Sequence, residues 1–468
     1  MSDSTLYEIL SSLSAWEIQN LRKWLRSPAV NHREEPMRLF EYCCECLRSG
    51  NLPDSDKAAQ AIWGRANTDG KLRYEMSALL GIIRDFLIEQ ELLADSGRRE
   101  LYWLRAVRKR GLSKNVQRAF REAEKVLDQT GAGDLNRYFF EFELELEKYE
   151  WDIKSQRAQV FPAEALTAPL NNWYAGQLMQ LACMAEAQGA VRRQMQIASD
   201  WMPKVIETLP GAPHETNPMV KLYHLGYRML GNPEETDLPE QFRHLLREAL
   251  PGLPRAAAKG LLLLAINHNI RRINKGQKEA VRSVLGFYLL GLEQKLLHDE
   301  SGYLPKFTYN NVLMTFLALQ HWDDAAAFLE EYHAQLPAGE RDNIYRYNLA
   351  VFRFRRGDYN GTLELLRDVS FPDAMYNLES RKMLLKIYYE QDAFDALDSL
   401  LDSLMTWLRR HGELGYHREM YRNLARYTAR LLRLAPNDAE ARRKLAKKVK
   451  ETPLVAEREW LLDKIGRV

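Results

Sequence analysis

Residues 309–337 read YNNVLMTFLALQHWDDAAAFLEEYHAQLP, and their apolar positions recur at helical intervals. Tyr309, Val312, Leu313 and Phe316 line one side of a helix. Trp322, Ala325 and Leu329 line one side of a second. Pro337 ends that second helix, because proline inside a helix costs about 3 kcal/mol. Ala325 is small enough to let the two helices cross closely. The design then recurs. Tyr345-Arg-Tyr-Asn-Leu349-Ala350 leads through Arg356-Gly357-Asp358-Tyr359 to Leu363–Leu366, with Gly357 suited to the turn between helices. Met383-Leu-Leu-Lys-Ile-Tyr388-Tyr389 leads to Phe394, Leu397, Leu400 and Leu401. From Ala325 to Thr362 is 37 residues, and from Thr362 to Leu397 is 35.

Outward from this region the periodicity stays helical. Leu72, Met76, Leu79, Leu80, Ile83, Leu87 and Ile88 form one stripe at spacings near three and four. Residues 139–151, FFEFELELEKYEW, alternate like a strand over a few positions. Phe139, Phe142, Leu146 and Tyr149 also fit a helical face, and Glu and Leu are good helix formers, so a helix is expected. No succession of Val/Ile/Thr runs with hairpin turns is present, and the fold class is all-α. Pro and Gly mark the breaks: Ser27-Pro28, Pro53, Pro162, Pro169, Pro210–Pro213, Gly231–Pro233, Pro251–Pro254, Ser301-Gly302, Pro337–Gly339 and Pro372. Residues 222–250 and 260–297 read as weaker helix pairs between such breaks. Short turns between amphipathic helices give antiparallel pairs, and a run of pairs gives a solenoid.

The units at 305–410 resemble tetratricopeptide repeats, whose period is about 34 residues. Leu313 and Tyr332 depart from that motif, which prefers small residues there. The resemblance implies a right-handed α-solenoid of antiparallel helix pairs, here with an N-terminal helical domain. It also implies that the first helix of each pair lines a groove for a partner. At matching positions that groove holds Asn310, Met314 and Leu317, then Tyr347, Val351, Phe354 and Arg355, then Lys382, Lys386 and Tyr389. The carboxylate clamp of such repeats uses asparagine where this chain has Met314 and Val351, so binding of chaperone tails is not expected. Taken whole, the chain is similar to a bacterial family of long all-helical proteins. Trp24-Leu-Arg-Ser-Pro28, Asn348-Leu-Ala-Val-Phe352, Arg381–Tyr388 and Arg458-Glu-Trp-Leu-Leu462 carry that likeness, which brings no catalytic residues with it.

The expected organisation is an N-terminal helical domain at 1–134, a degenerate repeat region at 135–304, tetratricopeptide-like repeats at 305–435 and capping helices at 436–468. Gly131-Ala-Gly133-Asp134 marks the first boundary. Pro436-Asn437-Asp438 offers a turn and an N-cap before the basic helix 439–450.

The 468 residues are 46% hydrophobic, 10% aromatic and 28% charged, an ordinary globular composition that argues against disorder. Sixty-six Lys and Arg against 64 Asp and Glu give a net charge of +2, so bulk charge selects no partner. The longest apolar runs, 261–266 and 284–292, are far short of a membrane span, and no basic, apolar leader is readable at the start. With four cysteines, three of them at Cys43, Cys44 and Cys46, the expectation is a cytoplasmic protein with reduced thiols. Cys43 and Cys46 have the gap of a zinc knuckle, but only His32 lies near as a further ligand, and the flanks are an amphipathic helix; packing is expected. His298-Asp299 reads as a solvated helix end. No phosphate loop, dinucleotide fingerprint, nucleophile elbow or paired-His zinc motif is found. Neither catalysis nor a metal or cofactor is therefore expected.

Two functional readings result, beside a third that no motif would betray, an enzyme whose site is assembled from dispersed carboxylates and histidines across helices. The first is a non-catalytic protein–protein interaction scaffold that docks an acidic or phosphorylated partner through Tyr347, Phe354, Arg355, Lys382, Lys386 and Tyr389, with self-assembly through the end helices as a variant. The second is association with nucleic acid through basic helices at 98–110 and 439–450, using Arg105, Arg108, Lys109 and Arg110, and Arg443 and Lys447. Tyr102 and Trp103 are interleaved with the first of these clusters. Arg271, Arg272, Lys275 and Lys278 form a further basic cluster.

Overall fold

The computed structural model describes residues 4–65, 70–131, 133–155, 160–189, 201–367, 374–435 and 438–466. Ala132, Pro372, Pro436 and Asn437, read above as turn positions, lie outside the described residues. Among those residues there are 24 α-helices and no strand. The chain forms two compact units, Met1–Gln180 with Asp200–Lys221, and Leu181–Ser199 with Leu222–Val468. No helix of the described residues is long and apolar enough to cross a membrane.

The first unit begins with α1 (Thr5–Ser12), α2 (Ala15–Leu25), α3 (Glu34–Ser49), α4 (Ser55–Trp63) and α5 (Lys71–Ala94). Ser14 starts α2 with a capping box: its side chain takes the Glu17 N–H while Glu17 reaches back to the Ser14 N–H. Leu21, Leu25, Leu39, Phe40, Ile62, Leu79 and Ile83 make the core between these helices. The stripe expected on α5 holds through Leu72, Leu79 and Ile83, but Phe86 replaces Leu87 in the buried set and Ile88 is exposed. A stripe at helical spacing drifts over 24 residues, so its far end leaves the seam. Cys43, Cys44 and Cys46 are buried along α3, and burial pushes the Cys43 thiol up to about 12.

The unit continues with α6 (Ser96–Lys109), α7 (Ser113–Gln129) and α8 (Leu135–Ser155) around Leu104, Val107, Ala119, Ala123 and Leu144. The stretch that alternates like a strand thus lies wholly within a helix. Asp134 N–H donates to the Gly131 carbonyl between α7 and α8, both of the first unit. In α9 (Ala163–Gly189), Pro169 lies inside the helix rather than ending it. Proline there forfeits one backbone bond, and the rest of α9 buries Ala175, Met179, Ala182 and Cys183. α10 (Trp201–Glu207) and α11 (Pro213–Thr216) follow.

Then come α12 (Pro218–Gly231), α13 (Leu238–Ala249), α14 (Arg255–Asn274) and α15 (Ala280–Glu293). Gly291 is required by the α14–α15 crossing: a Cβ there would sit 2.6 Å from the Leu262 side chain and 2.7 Å from Leu297. The expectation for His298 is corrected. It is 5% exposed, with Nε2 2.6 Å from Gln335 Oε1, because the chain turns back through Asp299 and Tyr303 instead of opening to water.

The repeat region is built of α16 (Lys306–Ala318), α17 (Trp322–His333), α18 (Arg341–Arg355), α19 (Tyr359–Arg367), α20 (Ala374–Glu390) and α21 (Phe394–Arg410). α16 packs on α17, α18 on α19 and α20 on α21, the helix pairs expected from the spacing. Ala325 is fully buried on α17, and Gly357 takes a φ of +80° in the α18–α19 turn. The unit ends with α22 (Tyr416–Leu432), α23 (Ala439–Glu451) and α24 (Arg458–Gly466). One core joins α20 to α24 through Leu385, Leu404, Leu424, Val449 and Leu461.

Candidate functional site

α20 is buried along most of its length: Tyr376, Leu378, Met383, Leu385 and Ile387 lie in the core. Its charged residues Glu379, Lys382, Lys386 and Glu390 occur every third or fourth position and therefore share a side. That side meets the segment leading into α24. Glu457 accepts from both lysines, Lys386 Nζ at 2.8 Å and Lys382 Nζ at 3.3 Å. Lys382 also reaches Glu379 at 2.5 Å, and Glu379 accepts from the Tyr421 hydroxyl. At the C-terminal end of α20, Glu390 binds Lys464 Nζ at 2.6 Å and the indole N–H of Trp460 at 3.2 Å.

Aromatic rings enclose these charges. Lys386 Nζ lies 5.8 Å from the Phe354 centroid and 5.6 Å from that of Trp460, within cation–π reach of each. Tyr389 meets Trp460 edge to face at 5.3 Å. Burial pushes the Glu457 carboxyl up, but the hydrogen bond from Lys386 and the charges of Lys382 and Lys386 outweigh it and hold its pKa below the ordinary value. Burial, with Glu379 beside it, pushes the Tyr421 phenol well up, so it stays a donor. Glu457 also has a φ of +51°, left-handed backbone that a residue with a Cβ rarely adopts.

The six expected groove residues therefore divide. Lys382, Lys386, Phe354 and Tyr389 come together in this cluster, each half-buried. Arg355 is exposed at the end of α18. Tyr347, expected on the groove surface, is 4% exposed and stacks on Tyr376 with centroids 4.4 Å apart. Its ring belongs to the packing of α18 on α20. Sequence reasoning missed Glu379, Glu390, Glu457 and Trp460, because the last two join the cluster from about 70 residues away.

The basic helices differ just as sharply. On α6, Arg105 binds Glu147 at 2.6 Å and Glu143 at 3.1 Å, and Arg108 binds Glu147 at 2.8 Å and Glu150 at 2.6 Å. These arginines clamp α6 to α8, and only Lys109 and Arg110 of that group are exposed. Arg443 and Lys447 are exposed on α23, where Lys447 has only a 3.8 Å pair with Glu451 on its own helix. No family model, curated protein or solved structure matches the chain.

Proposed function

We propose that this protein is a non-catalytic protein–protein interaction scaffold whose helix pairs form a right-handed, tetratricopeptide-like solenoid over residues 305–410, and that a partner's acidic segment docks at α18 and α20. The observation that carries the reading is the carboxylate of Glu457 held by Lys382 and Lys386 beside Phe354. A carboxylate on a docking segment would take the place of Glu457 there, while Leu461 and Ile465 keep α24 in the core. Both lysines are about one-fifth exposed, which leaves each of them accessible to a carboxylate from outside. Arg355 then adds an accessible cation at the rim, where charge governs rate and specificity more than affinity.

The test is affinity capture of the tagged protein from its native cells, in nuclease-treated and untreated halves, comparing wild type with Phe354→Ala/Arg355→Glu and with Glu457→Gln. The expected result is a protein partner that survives nuclease, is lost from the double variant and is enriched by Glu457→Gln. A folded double variant that retains the partner overturns the assignment. Tyr347 is left out of the variant because its substitution would open a hole in the core.

A further inference from the structure

α22 carries Arg422, Arg426 and Arg430 at intervals of four, all exposed, with Arg433 exposed just past its end. The positions between them, Tyr421, Leu424, Ala425, Tyr427, Thr428 and Leu431, are buried, so the arginines form one outward stripe. α23 packs against α22 and turns Leu445 and Val449 inward. Its exposed positions include Arg443, Lys444, Lys447, Lys448 and Lys450. Residues 418–450 hold eleven Lys and Arg against three Asp and Glu, a net +8 in a chain whose total is +2.

Charge on a helix surface is ordinarily cancelled by neighbouring carboxylates, as it is for Arg105 and Arg108. Here it is not. Arg430, Arg433, Arg443, Lys448 and Lys450 have no carboxylate partner among the described residues, and Arg422 and Lys444 have only Glu419 and Glu440 on their own helices. Like charges one turn apart along a helix repel one another and favour the arrival of a polyanion. Two features narrow its class. Apart from Tyr416 at the start of α22, no large hydrophobic side chain is exposed on either helix, so there is neither a platform for unstacked bases nor an apolar edge to enter a bilayer. The eight steps from Arg422 to Arg430 rise about 12 Å, roughly the axial span of three to four phosphates along one strand of a duplex.

We infer that the α22–α23 face binds the phosphate backbone of double-stranded nucleic acid, independently of base sequence. This binding stands apart from the protein-docking role of α18 and α20.

The test is fluorescence anisotropy of the full-length protein with a labelled 20-base-pair DNA of random sequence, titrated at several salt concentrations between 50 and 200 mM. Wild type is compared with Arg422→Gln/Arg426→Gln/Arg430→Gln and with a control of equal charge change on exposed α7, Lys114→Gln/Arg118→Gln/Arg121→Gln. Affinity of the wild type falls steeply with salt, and the slope of log K against log salt decreases in magnitude by about three in the α22 variant but not in the control. The inference is overturned by binding that does not vary with salt, by equal losses in the two variants at unchanged melting temperature, or by tighter binding of polyglutamate or of anionic phospholipid vesicles than of the duplex.

Discussion

His268 on α14 is 4% exposed, and burial, aided by the charges of Arg272, Arg271 and Lys275, lowers its pKa to about 4. The unfolded chain takes up that proton near pH 6.5, whereas the folded chain resists it. Its contribution to stability is therefore complete above pH 6.5 and is lost as pH falls toward 4, by an amount on the order of 3 kcal/mol. Denaturant titrations at pH 7.5 and pH 5 are expected to show about 2 kcal/mol of this loss in the wild type and less in His268→Gln; equal losses would contradict it. Glu457 acts in a lower window. A carboxyl held below its ordinary pKa stabilises the fold above that ordinary value and loses its effect as pH falls through the folded one. Glu457→Gln is therefore expected to weaken the protein at pH 7 and to flatten the decline below about pH 4.5. Neither effect was legible in the sequence, where His268 is one histidine in a helix and Glu457 one carboxylate near a proline. Burial by distant residues gives them their properties.

The clamp of α6 on α8 makes the corresponding point for elements. Glu147 is 7% exposed at its side chain and is held by both Arg105 and Arg108. Removing Arg108 leaves the buried carboxylate with Arg105 as its remaining partner, so the cost falls below the roughly 3–5 kcal/mol of a buried charge left with none. Arg108→Ala is expected to lower the melting temperature by several degrees, and Arg108→Met/Glu147→Leu to recover most of the loss. Equal melting of the single variant and wild type would show the clamp to be idle. From the sequence, α6 and α23 looked alike, two basic amphipathic helices. The acidic run of α8 was visible as well, but nothing in the spacing of residues says that it faces α6. The arginine stripe of α22 could have been found: Arg418, Arg422, Arg426 and Arg430 recur every fourth residue. That tyrosine and leucine alternate with them, and lie buried, is what makes it a face.

At the scale of the second unit, the end of the chain completes a core. Val455, Leu461 and Ile465 are buried with Leu404, Leu424 and Val449. Chains ended after Lys450 are expected to expose these side chains, at about 2 kcal/mol for each apolar residue removed, and to bind a hydrophobic dye with a broadened thermal transition. A truncated protein that melts as sharply and at the same temperature as wild type would show that the segment only lies on the surface. Taken by itself, the sequence determined that the chain is helical, where several of its turns fall, and that 305–410 is built of helix pairs. It could do so because helical periodicity, proline and glycine act within a few residues of themselves. Tertiary structure alone decided that Tyr347 is core, that Glu457 meets Lys382 and Lys386, and that Arg105 and Arg108 of α6 are cancelled while Arg430, Arg433 and Arg443 are not. Such outcomes depend on burial and on charges brought together from distant positions, and the field at a side chain is the sum of neighbours that only the folded chain assembles.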